Sequence, residues 1–89
     1  MRFTPGAKVR ARVLDPDHHI RLPRYVRGQV GEVIEAEGEG PLPDDRARGL
    51  IPPRVETVYA VRFRAAELWG TGTHSVTVDL WESYLEEVP

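Results

Sequence analysis

TVYAVRFR, residues 57–64, is the stretch that decides the fold of this chain. Its bulky apolar residues Tyr59, Val61 and Phe63 occupy every second position, which is the spacing of one face of a β-strand. β-Branched and aromatic side chains also favour the pleated geometry of a strand. The pattern therefore predicts a strand at Thr57–Arg64 that turns these three side chains towards the core.

Two further strands are predicted before it. Lys8–Val13 alternates charged and apolar residues, and its inward-facing members would be Val9, Ala11 and Val13. Gly28–Ala36 is the second strand, with the apolar residues Val30, Val33, Ile34 and Ala36. Val30 and Val33 differ in parity, so either the intervening glutamate points inward or a bulge near Gly31 shifts the register. We expect the bulge, because burying an unpaired carboxylate is costly.

Shorter elements are predicted after the central strand. Ala65–Trp69 offers one turn of helix, and Gly70 would stop it. A fourth strand follows, in which the alternating apolar residues are Val76, Val78 and Leu80. Trp81–Leu85 has the spacing of a single helical or 3₁₀ turn laid on the core. Glu86–Val88 would then close the fold as a short fifth strand.

These elements predict an all-β fold in one domain, residues 1–89: a small, partly open antiparallel β-barrel of about five strands. Antiparallel pairing is expected because the links are too short for crossover helices. One long loop, Gly38–Pro53, contains four prolines and three glycines, and Leu42, Leu50 or Ile51 would pack on the body. Its composition suits a mobile insertion and an interaction loop equally. The predicted core is Val9, Ala11, Val13, Val30, Ile34, Tyr59, Val61, Phe63, Val76, Val78 and Leu80, with Trp81, Tyr84 and Leu85 at its end.

A second loop, Asp17–Gly31, concentrates residues that suit contact with a partner. It holds two of the three histidines, three arginines and a tyrosine. Pro23 disfavours helix for the residue before it and donates no backbone hydrogen bond, so we expect an extended segment across the surface. A solvated basic loop is the alternative, since loops are normally polar.

Composition narrows the class of protein. With 40% hydrophobic and 29% charged residues the chain fits a globular domain, and it has no apolar run long enough to cross a membrane. No signal peptide is recognisable, and the lack of cysteine excludes disulfides and thiolate metal sites and suits the cytoplasm. Residues 1–30 carry a net charge of +5 and residues 31–89 one of −7. Because the whole chain is acidic, we expect a protein partner rather than nucleic acid.

The residues do not form a recognisable catalytic site of their own. His18 and His19 are adjacent and would point to opposite sides of an extended segment, so no metal site is predicted. Asp79 and Glu82 form a possible carboxylate pair, but a solvated strand end explains them as well. No nucleophile motif or phosphate-binding glycine loop is present. The chain alone is therefore not expected to be a complete enzyme.

Five motifs, in order and over nearly the whole chain, resemble the C-terminal domain of the nitrile hydratase β subunit. They are His19–Gly28 (HIRLPRYVRG), Leu42–Asp44 (LPD), Tyr59–Phe63 (YAVRF), Glu67–Gly70 (ELWG) and Val78–Glu86 (VDLWESYLE). The resemblance implies an SH3-like barrel. It also implies a subunit, without metal of its own, of a nitrile hydratase-type lyase, a hydro-lyase that converts a nitrile and water to an amide.

The resemblance further implies the cofactor and the partners. The metal would be Co(III) or Fe(III) on an α-type subunit, held by a cysteine loop oxidised to sulfenic and sulfinic acids. A helical chain equivalent to the N-terminal half of β would complete the enzyme. Arg21 occupies the position of a catalytic-site arginine that hydrogen-bonds the oxidised cysteines. Interface or support roles are expected for His19, Leu22, Pro23, Arg24, Tyr25 and Arg27.

The chain is less than half the size of an intact β subunit. We expect a natural small subunit of a split β chain, as in thiocyanate hydrolase or the three-subunit toyocamycin nitrile hydratase, rather than a dissected domain. Two alternatives for its function are an accessory activator or chaperone for metal loading, and a subunit of a thiocyanate hydrolase.

Overall fold

A computed structural model of the chain describes residues 2–16, 18 and 20–89. Its strands are β1 (Lys8–Ala11), β2 (Val30–Pro41), β3 (Val55–Arg64), β4 (Ser75–Trp81) and β5 (Leu85–Glu87). They form one antiparallel sheet in the order β4-β3-β2-β1-β5. The helices are α1 (Pro43–Ala47) and α2 (Ala65–Trp69), and single 3₁₀ turns lie at Arg24–Val26 and Glu82–Tyr84. The predicted all-β class, antiparallel pairing and strand number are confirmed.

The sheet is open but strongly rolled. Its two edges are β4 and β5, which would lie about 19 Å apart in a flat five-stranded sheet. Only the 3₁₀ turn Glu82–Tyr84 separates them along the chain, and such a turn advances about 2 Å per residue. A link this short joins the two edges only if the sheet curls until they converge. The predicted partly open barrel is therefore the arrangement found.

The centre of the core lies on β3, as its alternation predicts. Tyr59, Val61 and Phe63 are fully buried or nearly so. The Tyr59 phenol donates a 2.6 Å hydrogen bond to Oε1 of Glu82 and accepts one from the backbone N–H of Phe3. The ring of Phe3 meets the Tyr59 ring edge to face, with centroids 5.4 Å apart. These contacts fasten the N-terminal segment over the end of the core.

The core prediction is wrong at two positions. Val13 is 77% exposed because β1 ends at Ala11, so Val13 no longer faces the interior of the sheet. Ile34 is exposed because it is the extra residue of a β-bulge: the ladder passes from Val33–Val61 directly to Glu35–Ala60. Val30, Val76, Val78 and Trp81 of the predicted core are only partly buried, whereas Leu22 and Val26 are fully buried core residues that were not predicted.

The bulge expected near Gly31 lies elsewhere on the same strand. The ladder of β2 with β3 skips Ile34 and then Glu37, while Gly31 pairs regularly with Val9. Gly31 is needed for another reason: a Cβ atom there would lie 2.8 Å from Cγ1 of Val61. The glycine lets β2 pack directly against the core side chains of β3 without changing the register.

The segment Gly38–Pro53 is more ordered than a surface loop. Its first residues continue β2 to Pro41, and α1 follows at once, with proline at the start of the helix, where the missing N–H costs nothing. Of the three apolar candidates only Leu42 is buried, and Leu50 and Ile51 are exposed.

A buried carboxylate holds α1 in place. Asp45 is 1% exposed and accepts hydrogen bonds from the Arg54 side chain, 2.8 Å from Nε and 2.9 Å from Nη2, and from its backbone N–H. Arg48 adds a weaker contact at 3.3 Å. The hydrogen bonds from Arg54 keep the pKa of Asp45 well below its usual range. The helix therefore has a fixed position beside the loop that contains Arg21.

Candidate functional site

A groove of about 680 Å³ separates the loop around Arg21 from α1. It is lined by His18, Arg21, Pro41, Pro43, Arg46, Ala47 and Trp81. Its floor is fixed, since the indole N–H of Trp81 donates a 3.3 Å hydrogen bond to the carbonyl of Gly40. Two arginines, Arg21 and Arg46, thus line one groove of mixed polar and apolar character.

The backbone of Arg21 is anchored at the residue itself and at the next residue, whereas the Arg21 side chain is exposed. The backbone N–H of Arg21 donates a 3.3 Å hydrogen bond to the phenol of Tyr84, and the next residue, Leu22, is 1% exposed and belongs to the core. No hydrogen bond or ion pair joins the Arg21 guanidinium to another residue in the described ranges 2–16, 18 and 20–89. The chain therefore fixes the backbone of Arg21 at the groove and leaves the donors of its guanidinium available.

Tyr84 links this loop to α1. Its hydroxyl donates a 2.5 Å hydrogen bond to Oδ1 of Asp44, while Oδ2 of the same carboxylate lies 3.4 Å from Nε2 of His18. Burial, together with the bond to Asp44, raises the pKa of Tyr84. The phenol therefore stays protonated at physiological pH and can donate to Asp44 while it accepts from Arg21.

The other two arginines of the loop have structural partners. The segment is extended at Pro23 but then forms the 3₁₀ turn Arg24–Val26, so alternation does not extend from residue 21 to residue 27. Arg24 Nη2 lies 3.2 Å from Oδ1 of Asp15. The Arg27 side chain is only 14% exposed, donates from Nε to the carbonyl of Leu22 at 2.9 Å and reaches the same Asp15. The mostly buried side chain of Arg27 thus stabilises the conformation of the loop.

The remaining predicted support residues lie at different places. Pro23 is half-buried, and its carbonyl accepts the N–H of Val26. Tyr25 is 43% exposed, and its ring centroid lies 5.7 Å from that of Trp69 on the side of the sheet where α2 lies. His19 lies outside the described residues.

Sequence reasoning did not single out Arg46, although it lines the same groove as Arg21. The segment LPDDR contains a signal that would have found it: a proline followed by two acidic residues is typical of the first turn of a helix. On such a turn residues 43 and 46 share a face, because they are three positions apart. Both side chains do line the groove.

The carboxylates Asp79 and Glu82 each have a neighbour within the fold. Within the described part of the chain, no group of three or more His, Cys, Asp or Glu side chains is placed to hold a metal ion. Glu82 accepts the hydrogen bond of Tyr59, and the proximity of Asp79 raises the pKa of Glu37. The described residues therefore do not fit a metal centre on this chain.

No helix within residues 2–16, 18 and 20–89 is long and apolar enough to cross a membrane.

Comparison with known proteins shows which family the sequence of this chain matches. Residues 1–87 match the family described as nitrile hydratase beta subunit, C-terminal. The cobalt-containing nitrile hydratase subunit beta of Pseudonocardia thermophila is 41% identical over 90 residues, covering 98% of this chain and 38% of that protein. The nitrile hydratase subunit beta of Rhodococcus erythropolis is 42% identical over 87 residues, covering 94% of this chain and 41% of that protein. The chain thus spans about two fifths of the length of these curated relatives.

A solved structure resembles the whole fold. It is a chain of the recombinant apo-enzyme of thiocyanate hydrolase from Thiobacillus thioparus, with a TM-score of 0.88 and 27% sequence identity. The match covers 98% of this chain and 76% of that one.

Proposed function

Because the chain belongs to the family formed by the C-terminal domains of nitrile hydratase β subunits, we propose that it is the small subunit of a nitrile hydratase-type enzyme. It binds a metal-bearing α-type subunit and works beside a helical chain equivalent to the N-terminal half of β. The assembled enzyme adds water to a nitrile to give an amide. The lack of cysteine suits the reducing cytoplasm, which is where we place it.

The metal in this proposal belongs to the partner. A family relative is named as cobalt-containing, whereas the described residues of this chain offer no metal-binding group. When bound to the α-type subunit, Co(III) or Fe(III) supplies the electrophilic centre for hydration. The task of the present chain is to orient and stabilise the loop that holds this ion.

Arg21 carries that task. Its guanidinium is always charged and offers parallel N–H donors that match two neighbouring oxygen atoms, such as those of oxidised cysteines. The observation that carries the proposal is the contrast within one loop: Arg24 and Arg27 pair with Asp15, whereas Arg21 has no ionic partner among the described residues. Its backbone is nevertheless fixed by Tyr84, so the backbone loses little conformational freedom on binding and the entropy cost falls on the side chain.

Thiocyanate hydrolase is the second candidate enzyme. The chain covers 76% of the matched thiocyanate hydrolase chain but only about two fifths of the β subunits. The small-subunit arrangement would be the same in both enzymes, and the substrate would be thiocyanate instead of a nitrile.

Co-expression with an α-type chain and a helical chain equivalent to the N-terminal half of β tests the proposal. We expect a stable stoichiometric complex on size-exclusion chromatography that hydrates a nitrile, and no activity from the 89-residue chain alone. Release of this chain once the metal is loaded, with activity remaining in the other chains, would contradict the proposal in favour of an accessory activator. Turnover of thiocyanate but not of nitriles would select the second enzyme.

A further inference from the structure

The groove beside Arg21 contains a second basic side chain that has no ionic partner. Six arginines lie within 3.6 Å of a carboxylate oxygen among the described residues: Arg12, Arg24, Arg27, Arg48, Arg54 and Arg62. Arg21 and Arg46 form no such pair within the described ranges, and both line the same groove. Six of the eleven arginines are thus paired within the fold, and the two that line the groove are among the five that form no ion pair within the described ranges.

Asp44, the carboxylate that lies beside this groove, forms no ion pair with either arginine within the described ranges. Asp44 directs one oxygen to the Tyr84 hydroxyl, and the other lies near His18. The apolar walls formed by Pro41, Pro43 and Trp81 replace water on part of the groove, which strengthens the attraction of its cations for an anion. An anion entering here would meet two arginine side chains that have no ionic partner among the described residues.

We propose that Arg46 is a second anion-binding residue, which with Arg21 makes this groove a site for an oxyanion-bearing loop of the α-type partner. The inference rests on the proposed function and adds to it a binding residue on α1. Since Asp45 anchors α1 through Arg54, Arg46 is carried on a rigid element and not on a mobile insertion. The occupant is a peptide loop with sulfinate, sulfenate or carboxylate oxygens, because the groove is too large for a single small ion.

Association of the chain with its α-type partner provides the first test. Arg46→Gln should weaken the equilibrium association by about three- to tenfold at low salt, and the difference should shrink at high ionic strength. Arg64→Gln is the matched control, since Arg64 is exposed and lies outside the groove, and it should change association by less than about twofold. Equal behaviour of the two variants would overturn the inference. If Arg21→Lys still lowered turnover in that case, the proposed function would stand without it.

A titration of the 89-residue chain tests the ligand chemistry independently of the partner. Sodium methanesulfinate should shift the side-chain Nε–Hε NMR signals of both Arg21 and Arg46 in a saturable manner, and neutral dimethyl sulfone should not. Shifts confined to Arg21, or equal shifts with the sulfone, would refute the two-arginine site even if no complex with the partner could be formed. Thiocyanate is the third probe: binding about tenfold tighter than methanesulfinate would make the occupant a substrate anion and overturn the assignment to a partner loop.

Discussion

The hydroxyl of Tyr84 connects the backbone of Arg21 to the carboxylate of Asp44. It accepts the Arg21 N–H at 3.3 Å and donates to Asp44 at 2.5 Å, so one buried phenol joins the loop of the candidate site to α1. The two walls of the groove are therefore coupled through a side chain of the C-terminal turn.

Removing this hydroxyl tests the coupling. Tyr84→Phe keeps the buried ring but leaves Asp44 without its donor, so we expect a loss of roughly 1–3 kcal/mol in the free energy of unfolding. Turnover of the assembled enzyme should also fall, because Arg21 is no longer held by its backbone. Chemical denaturation and steady-state kinetics measure the two effects. Tyr25→Phe is the control for stability, since Tyr25 is partly exposed; equal stability of the two variants would contradict the assigned role.

Arg21→Lys tests the proposed active-site contact. Lysine retains the charge but replaces the planar fork by a single ammonium group, which cannot make two parallel hydrogen bonds. We expect the domain to remain folded and the turnover number of the complex to fall by at least about tenfold, or roughly 1.4 kcal/mol in the barrier. Arg24→Lys should have little effect, because Arg24 is exposed and paired with Asp15. Full activity of Arg21→Lys in a normally assembled complex would refute the assignment.

Phe63→Ala tests how much the buried ring of Phe63 contributes to the stability of the domain. The ring is 1% exposed near the end of β3, so its removal should cost about 3–5 kcal/mol in the free energy of unfolding. Val13→Ala is the informative control: Val13 has the same alternation in sequence but is exposed, and we expect a change below about 0.5 kcal/mol. Thermal unfolding followed by circular dichroism compares the two, and comparable losses would show that the register of β1 has been misassigned.

Gly31→Ala tests the close approach of β2 to β3. The added Cβ would lie 2.8 Å from Cγ1 of Val61 and 2.9 Å from the carbonyl oxygen of Arg62, so the strand must shift. Overpacking of this kind costs about 1–3 kcal/mol. Gly40→Ala on the same strand meets nothing closer than 3.6 Å and should be near neutral. Urea denaturation of both variants measures the difference, and a neutral Gly31→Ala would exclude the packing role.

Asp45 makes the stability of the domain dependent on pH. Its hydrogen bonds to Arg54 lower its pKa in the folded state, so it contributes stability above the unfolded carboxyl pKa of about 4, and this contribution is lost as the pH falls further. Asp45→Asn should therefore melt at a lower temperature than the wild type at pH 7, and the two melting temperatures should converge in acid. Asp15→Asn is the control, since the Asp15 side chain is mostly exposed. A difference that stays constant down to pH 2 would contradict this linkage.

The alternation of apolar and polar residues predicted the strands well, because this pattern lies within the sequence of each strand. β3, β4, α2 with Gly70 as its stop and the turn Glu82–Tyr84 lie where the spacing of apolar residues places them. Val13 and Ile34 were misplaced because their exposure depends on where a ladder ends and where a bulge falls, which the neighbouring strand decides.

Of the two arginines that line the groove, only Arg21 was predicted from the sequence. Arg21 was found through its motif, but Arg46 lies on a five-residue helix within a segment rich in proline and glycine. Its position depends on Asp45, whose burial becomes favourable only when Arg54 approaches from the start of β3. Contacts of this kind arise from the tertiary fold and leave no periodic pattern in the sequence.

The turn Glu82–Tyr84 both brings the edges of the sheet together and supplies the phenol that holds the candidate site. Separate elements would allow the site to melt first and leave an inactive barrel behind. Here heating should abolish the site and the fold in one cooperative step, with activity and circular dichroism lost along the same curve. For the same reason, amide protons along β5 should exchange more slowly with solvent when the groove is filled, although β5 itself contributes no residue to its lining.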